Sequence, residues 1–479
     1  MKIFRTITIT IILAIALVVR LYKIDNPVAD WHSFRQADTA SVSRNFVERG
    51  INLLIPTYHD LSNIQSGKDN PHGYRMVEFP LYNLLHVGVY SLAPSMGLDM
   101  AGRLTSVILS LISIIFLYLI VNKLSGFFIA SLASFFMAVL PFNIFYSRAI
   151  LPEPLMITSL LVSFWFLLQT VETKGYQKRI FLLLSSLFLS ISVLVKPFAL
   201  FFALPHLAIL FRSLANKELN FLDILSYAAI SLVPFGLWRK HIASFPEGVP
   251  ASNWLLNNNG IRFRPAWFRW LFGERLGKLI LGSWGTCLFI LGVIAKPTKE
   301  GITYWLWLIG ILLYFSIVAG GNVQHDYYQA ITAPFICIFL AKGTTLLISL
   351  SKTVYSRLLT LIMALSVIGM MLSLSWYDIR GYYQINNPVI IEAGKRVDAL
   401  TPKDAKVIAP YNGDTAFLYQ THRSGWPLGY DIDKHIAQGA AYYVSVNYDD
   451  EMHELEAKYQ TVEKTEKYII IKLVPKITK

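Results

Sequence analysis

The chain reads as a polytopic α-helical membrane protein of about eleven spanning helices with a C-terminal soluble α/β domain. Three observations carry that reading. Of its 479 residues 54% are hydrophobic and only 15% charged, and the mean hydropathy is +0.47, a balance that ordinary soluble domains do not show. Apolar runs alternate with short basic turns as far as Trp376. Beyond it the long runs stop, and shorter apolar stretches mixed with charge take over.

The first run, Ile7 to Val19, follows Lys2 and Arg5 and has no small-x-small cleavage site before Arg20. It is therefore expected to be an uncleaved first helix with a cytoplasmic N-terminus. Further spans are expected at Leu104 to Val121, Gly126 to Pro141, Leu155 to Leu168, Ile180 to Val195, Phe198 to Phe211 and Phe221 to Trp238. Four more follow at Leu279 to Ala295, Ile302 to Ala319, Ala330 to Ser349 and Leu358 to Trp376. Phe79 to Ala93 is short and holds Asn83 and His86. If it lies along the surface, Lys123, Lys174, Lys178, Arg179, Arg212, Lys217, Lys296, Lys299, Lys352 and Arg357 all fall in cytoplasmic turns, as the positive-inside rule demands. If it spans, they all flip outward.

The formal net charge of +13 is spread over these turns and not gathered in a patch, so it marks topology and anionic head groups, with no nucleic-acid partner. Cys287 and Cys337 both lie in apolar runs, which excludes a disulfide framework or a cysteine zinc site. The expected division is a membrane domain over 1–376, with an outer loop 22–78 carrying interfacial helices, and an extracytoplasmic domain over 377–479. In the tail, Lys406 to Ala409, Ala441 to Val446 and Tyr468 to Leu473 read as strands and Val389 to Leu400 as a helix. No internal repeat supports a transporter built by duplication.

Candidate chemistry sits in the segments expected on the outer face. The long first loop carries Asp30, His32, Arg35, Asp38 and Glu78, and Asp38 to Arg49 has the pattern of an amphipathic helix in the interface. Glu153 stands between Pro152 and Pro154, five residues after Arg148, as a functional carboxylate or a helix cap. Lys196-Pro197 breaks an overlong apolar stretch, so Lys196 is either a snorkelling end residue or a fixed cation for an anionic head group. His325, Tyr327 and Tyr328 follow the Gly320-Gly321 pair.

In order along the chain, Glu78-Phe-Pro-Leu-Tyr82, Arg103-Leu-Thr-Ser106, Tyr146-Ser-Arg-Ala-Ile-Leu-Pro-Glu-Pro-Leu155, Lys196-Pro197 and His325-Asp-Tyr-Tyr328 resemble the pattern of GT-C-fold glycosyltransferases of the family 39 type. These include bacterial aminoarabinose transferases and protein O-mannosyltransferases. The family opens its first loop with an Asp-Glu pair followed by Tyr-Ala, whereas this chain has Arg35-Gln-Ala-Asp-Thr-Ala40, which leaves either Asp38 or Asp30 in the acidic role. The resemblance implies transfer of a sugar from a polyprenyl-phosphate donor to a hydroxyl of a lipid, glycan or protein, at the outer face of a bacterial-type inner membrane, with inversion.

On that basis Asp38, Glu153 and Glu78 are the expected catalytic carboxylates, and Arg35, Arg103, Arg148, Lys196, His325, Tyr327, Tyr328, His32 and Tyr82 the donor-binding set. The resemblance also admits a divalent metal ion, with Glu78, His32 and His325 as candidate ligands. The competing reading is a transporter or flippase of lipid-linked sugars. Charges clustered in outer loops, and not at broken helices near the midplane, favour the enzyme.

Overall fold

The computed structural model describes residues 2–476. Among them are eight helices long and apolar enough to cross a membrane, or nine if Pro265–Ile280 and Gly285–Ile294, bent by 110°, form one span. Two shorter apolar helices, Phe127–Val139 and Thr303–Ile317, complete the set. Every run expected from the sequence thus finds a helix, and the chain is an integral membrane protein. Leu81–Leu92 is a helix of 12 residues and is not among those long enough to cross.

Packing divides the chain into two compact units, Met1–Tyr22 with Ser106–Trp238 and Ser252–Gly381, and Lys23–Thr105 with Arg239–Ala251 and Tyr382–Lys479. This partition by contact is a different question from the expected division by solvent at 376/377. In the first, the membrane unit, helices approach through glycine. A Cβ on Gly292 would collide with the Phe339 carbonyl and one on Gly343 with the Leu288 carbonyl. Small residues of this kind let spanning helices pack backbone to backbone in lipid.

The second unit holds a five-stranded sheet in the order β2-β1-β3-β5-β4. The strands are β1 Lys406–Ile408, β2 Gly425–Trp426, β3 Ala440–Ser445, β4 Tyr459–Lys464 and β5 Ile469–Pro475. β1 runs parallel to β2 and β3, and β5 antiparallel to β3 and β4. Side chains alternate between the two faces. Val407, Val444 and Ile470 pack with Ile390, Ala393 and Val397 of the Val389–Leu400 helix. Ile408, Tyr443, Ile469 and Ile471 pack with Met452 and Leu455 of the Asp450–Lys458 helix. The sheet is therefore buried on both faces, which is why its central strands read as apolar runs. The first loop joins this sheet: Asp60 bridges to Gly425, and the Leu61 N–H donates to the Gly425 carbonyl at 2.8 Å. Gly425 has no alternative, because a Cβ there would overlap the Val407 carbonyl.

The amphipathic pattern at Asp38 to Arg49 belongs to a longer helix, Ser33–Arg49. Of the polar face expected there, Glu48 and Arg49 are exposed while Arg44 is enclosed, and Arg35, Gln36, Asp38, Ser41 and Asn45 are buried beside it. Partners within the unit make that enclosure tolerable.

Candidate active site

In the membrane unit the proline positions decide the geometry. Pro197 disfavours helical backbone in the residue before it, and Lys196 is accordingly extended (φ −151°, ψ 125°) at the end of the Gly175–Val195 helix. Glu153 is the first residue of the Glu153–Glu172 helix. It does not cap that helix: the cap position is Pro152, with no side-chain cap bond. Instead one Glu153 carboxylate oxygen forms a buried ion pair with the Lys196 ammonium. Each charge also sits at the helix end whose dipole favours it.

The same ammonium lies 5.4 Å from the Tyr327 ring centre and 5.3 Å from that of Tyr328. The two rings are 4.7 Å apart, and His325 stacks on Tyr327 at 5.4 Å. Rings so placed favour a desolvated cation. The segment carrying them is held by Asp326, which is buried, accepts the Tyr146 hydroxyl at 2.5 Å and lies 3.7 Å from Arg275. The structure thus brings together Glu153, Lys196, His325, Tyr327 and Tyr328. Arg148 is fully buried and donates to the Tyr22 carbonyl at 2.9 Å.

In the second unit the expected residues fall into separate pairs. Arg103, fully buried, bonds Asp30 at 3.1 Å, Gln36 at 3.3 Å and the carbonyls of Asn26 and Pro27 at 3.1 and 3.3 Å. Asp30 also accepts from Gln36 at 2.7 Å. Asp38 has both oxygens engaged, one by Thr415 at 2.8 Å and the other by Gln65 at 2.9 Å and Arg75 at 3.0 Å. These bonds tie segments of the unit together. The Tyr82 hydroxyl is spent on the Gly102 carbonyl at 2.9 Å. Arg35 and Glu78 form the more open pair, with 8% and 15% of their side chains exposed. His32 sits in the left-handed region (φ 54°, ψ 38°) just before the Ser33–Arg49 helix, its ring 5.1 Å from Trp31. A residue held in that conformation without glycine marks a constrained turn.

Other titratable groups of this unit are shifted by enclosure. Burial raises Asp60 to about 6 against the Ser62 hydrogen bonds that lower it. Asp414 is likewise raised to about 6 by burial, opposed by the Ala416 N–H and the Ser33 hydroxyl. Burial, reinforced by Arg44, pushes His422 down to about 4 and holds His59 well below the usual histidine range.

Breaking either buried tie should cost folding before it costs chemistry. Asp30→Ala strands Arg103 without its counter-ion, a change that typically costs about 3–5 kcal/mol, and should lower the yield of monodisperse protein. Asp38→Asn should lower the melting temperature while turnover per folded molecule stays near wild type. A hundredfold loss in folded Asp38→Asn would restore Asp38 as the base.

Among the described residues no three His, Cys, Asp or Glu side chains come together to hold a metal ion. Glu78 is engaged by Arg35, and no step is derived through a metal.

Sequence reasoning missed Asp326 and the Tyr146 hydroxyl, although both lie inside motifs it singled out. It also missed Arg75, Gln65 and Thr415 around Asp38. A charged residue between His325 and two tyrosines was the available signal for Asp326; nothing marked its pairing with Tyr146, 180 residues away.

Comparison with known proteins gives the fold. Over 97% of this chain and 98% of the other, it superposes on ArnT from Cupriavidus metallidurans bound to undecaprenyl phosphate, with a TM-score of 0.65 at 12% identity. The apo state of that protein gives 0.64 at 13% identity, with 97% of each chain covered. The archaeal oligosaccharyltransferase AglB from Archaeoglobus fulgidus, solved with an inhibitory peptide and a dolichol-phosphate, gives 0.61 at 11% identity over 93% of this chain and 69% of its own. A sequence search of curated proteins finds no match. The chain has the GT-C glycosyltransferase fold over nearly its whole length, and its residues 80–238 match the family model of dolichyl-phosphate-mannose-protein mannosyltransferases.

Proposed function

We propose that this protein is a membrane glycosyltransferase that moves a hexosyl or pentosyl group from a polyprenyl-phosphate carrier to a hydroxyl of a lipid, glycan or protein, inverting the anomeric carbon. The observation that carries the reading is the Glu153–Lys196 pair beneath Tyr327 and Tyr328, in a fold whose ArnT counterpart was solved with undecaprenyl phosphate.

The pair has the two groups the reaction needs. An ammonium can neutralise the carrier phosphate as it leaves, and a carboxylate can take the proton of the attacking hydroxyl. Their mutual contact also couples binding to chemistry. When the donor phosphate draws Lys196 toward itself, the Glu153 carboxylate is released to meet the attacking hydroxyl. Within the second unit, the Arg35–Glu78 pair is a further candidate for a polar substrate group. Arg suits a phosphate or a sugar hydroxyl through its fixed fork.

Purified protein incubated with a radiolabelled undecaprenyl-phosphate sugar and an envelope extract should release undecaprenyl phosphate and label an acceptor. Labelled donor that crosses proteoliposomes unchanged would make the protein a flippase instead.

The active face is assigned outside the inner membrane from the basic turns. In a background without Cys287 and Cys337, a cysteine at Lys174 should be shielded from an impermeant thiol reagent in intact cells. One at Asp433, whose side chain is 86% exposed, should label. Labelling of Lys174→Cys from outside would reverse the orientation.

A further inference from the structure

A small pocket inside the membrane unit is lined by Ser110, Ser113, Asn143, Tyr146, Ser147 and Glu153 among others and has room for about one water molecule. Glu153 is only 2% exposed. One of its oxygens goes to Lys196, while the other, Oε2, is buried without a hydrogen-bond partner among the described residues. A carboxylate oxygen enclosed in that way is costly unless something donates to it.

The direction of the surrounding hydrogen bonds says what could. Arg20 is fully buried. Its Nε–H is shared between Ser110 Oγ at 3.1 Å and Ser147 Oγ at 2.7 Å, and its other nitrogens donate to the carbonyls of Ala16, Ala138 and Met137 at 3.0, 2.9 and 3.0 Å. A guanidinium only donates, so both hydroxyls accept from it and must send their own protons elsewhere. Ser147 donates to the Ile144 carbonyl at 3.2 Å. The Ser110 hydroxyl has no acceptor among the described residues, and it lines the same pocket as Glu153.

We propose that this pocket holds one ordered water that donates to Glu153 Oε2 and accepts from the Ser110 hydroxyl, with Arg20 as the positioning residue that turns Ser110 toward it. The water satisfies the second carboxylate oxygen while Lys196 satisfies the first. Its bearing on sugar transfer rests on the role of Glu153 proposed above; its existence does not.

A map of the intact protein in detergent, at a resolution that shows buried waters, should place one within hydrogen-bond distance of both Glu153 Oε2 and Ser110 Oγ. Ser110→Ala should displace it and lower turnover about tenfold, the scale of one lost hydrogen bond to a charged group, with donor affinity unchanged. Ser110→Thr keeps the hydroxyl and should restore both water and rate. A wild-type map with other buried waters and none here overturns the proposal, as does a water undisturbed in Ser110→Ala. If the water is present and is lost in Ser110→Ala, yet Glu153→Gln transfers sugar normally, the site stands and the catalytic reading of Glu153 falls.

Discussion

Glu153→Gln should lower sugar transfer by about a hundredfold or more while leaving a folded protein, because a general base typically contributes about 10² to 10⁴ in rate. Glutamine keeps the shape and the capacity to accept a hydrogen bond from Lys196, but it cannot take a proton. Its one vulnerability is that it leaves Lys196 buried without a counter-charge, and here the tyrosine rings at 5.3 and 5.4 Å limit the damage. The measurement is single-turnover transfer from a radiolabelled undecaprenyl-phosphate sugar, with donor binding followed separately. The rate should fall and the affinity should hold, since a phosphate in the site then offers Lys196 the charge that glutamine lacks. A Glu153→Gln enzyme within threefold of wild type in rate would remove the carboxylate-base mechanism from this residue and turn attention to Glu78.

The membrane half of the fold was legible because a bilayer imposes one strong constraint, a long apolar stretch for each crossing, and composition alone reveals it. The 110° bend between Pro265–Ile280 and Gly285–Ile294 was not. There, Gly282 at φ +48° lets the chain turn, and its Cβ position is filled by Met371, which no local pattern announces. In the second unit, β1, β3 and β5 were readable as apolar runs since both faces are covered. β2, two residues long, and β4, an edge strand carrying Glu463 and Lys464, left no such trace. The same division holds for the site. Glu153 and Lys196 stood out because prolines hold charged residues at helix ends. The pairing of one with the other, and the buried links Tyr146–Asp326 and Arg20–Ser110, depend on contacts over 43 to 180 residues of sequence. Asp38 shows the same limit. A carboxylate among apolar neighbours in a long loop has the look of a catalytic group, and its real neighbours, Arg75, Gln65 and Thr415, come from segments that the local window does not contain.

Lys196→Ala should weaken donor binding and lower kcat together, and the second effect separates a phosphate ligand from an interface anchor. A cation that only holds the ground-state phosphate affects affinity alone, whereas one that follows the charge developing on the leaving phosphate acts on the rate as well. The single substitution carries a complication. It leaves Glu153 charged and enclosed, and stranding one member of a buried pair typically costs about 3–5 kcal/mol of stability. Lys196→Met with Glu153→Gln removes both charges at nearly constant volume, so this double variant should recover the melting temperature lost in Lys196→Ala while staying inactive. Lys196→Arg keeps a charge near the tyrosine rings and should retain part of the donor affinity, with turnover reduced because the bulkier fork shifts the contact with Glu153. Donor affinity by equilibrium binding, rate by single turnover and stability by thermal unfolding give three independent readings of each variant. If Lys196→Ala loses stability but binds and transfers normally once folded, the Glu153–Lys196 pair is a structural tie, and the phosphate ligand must be sought at Arg35, the partly exposed arginine of the Glu78 pair.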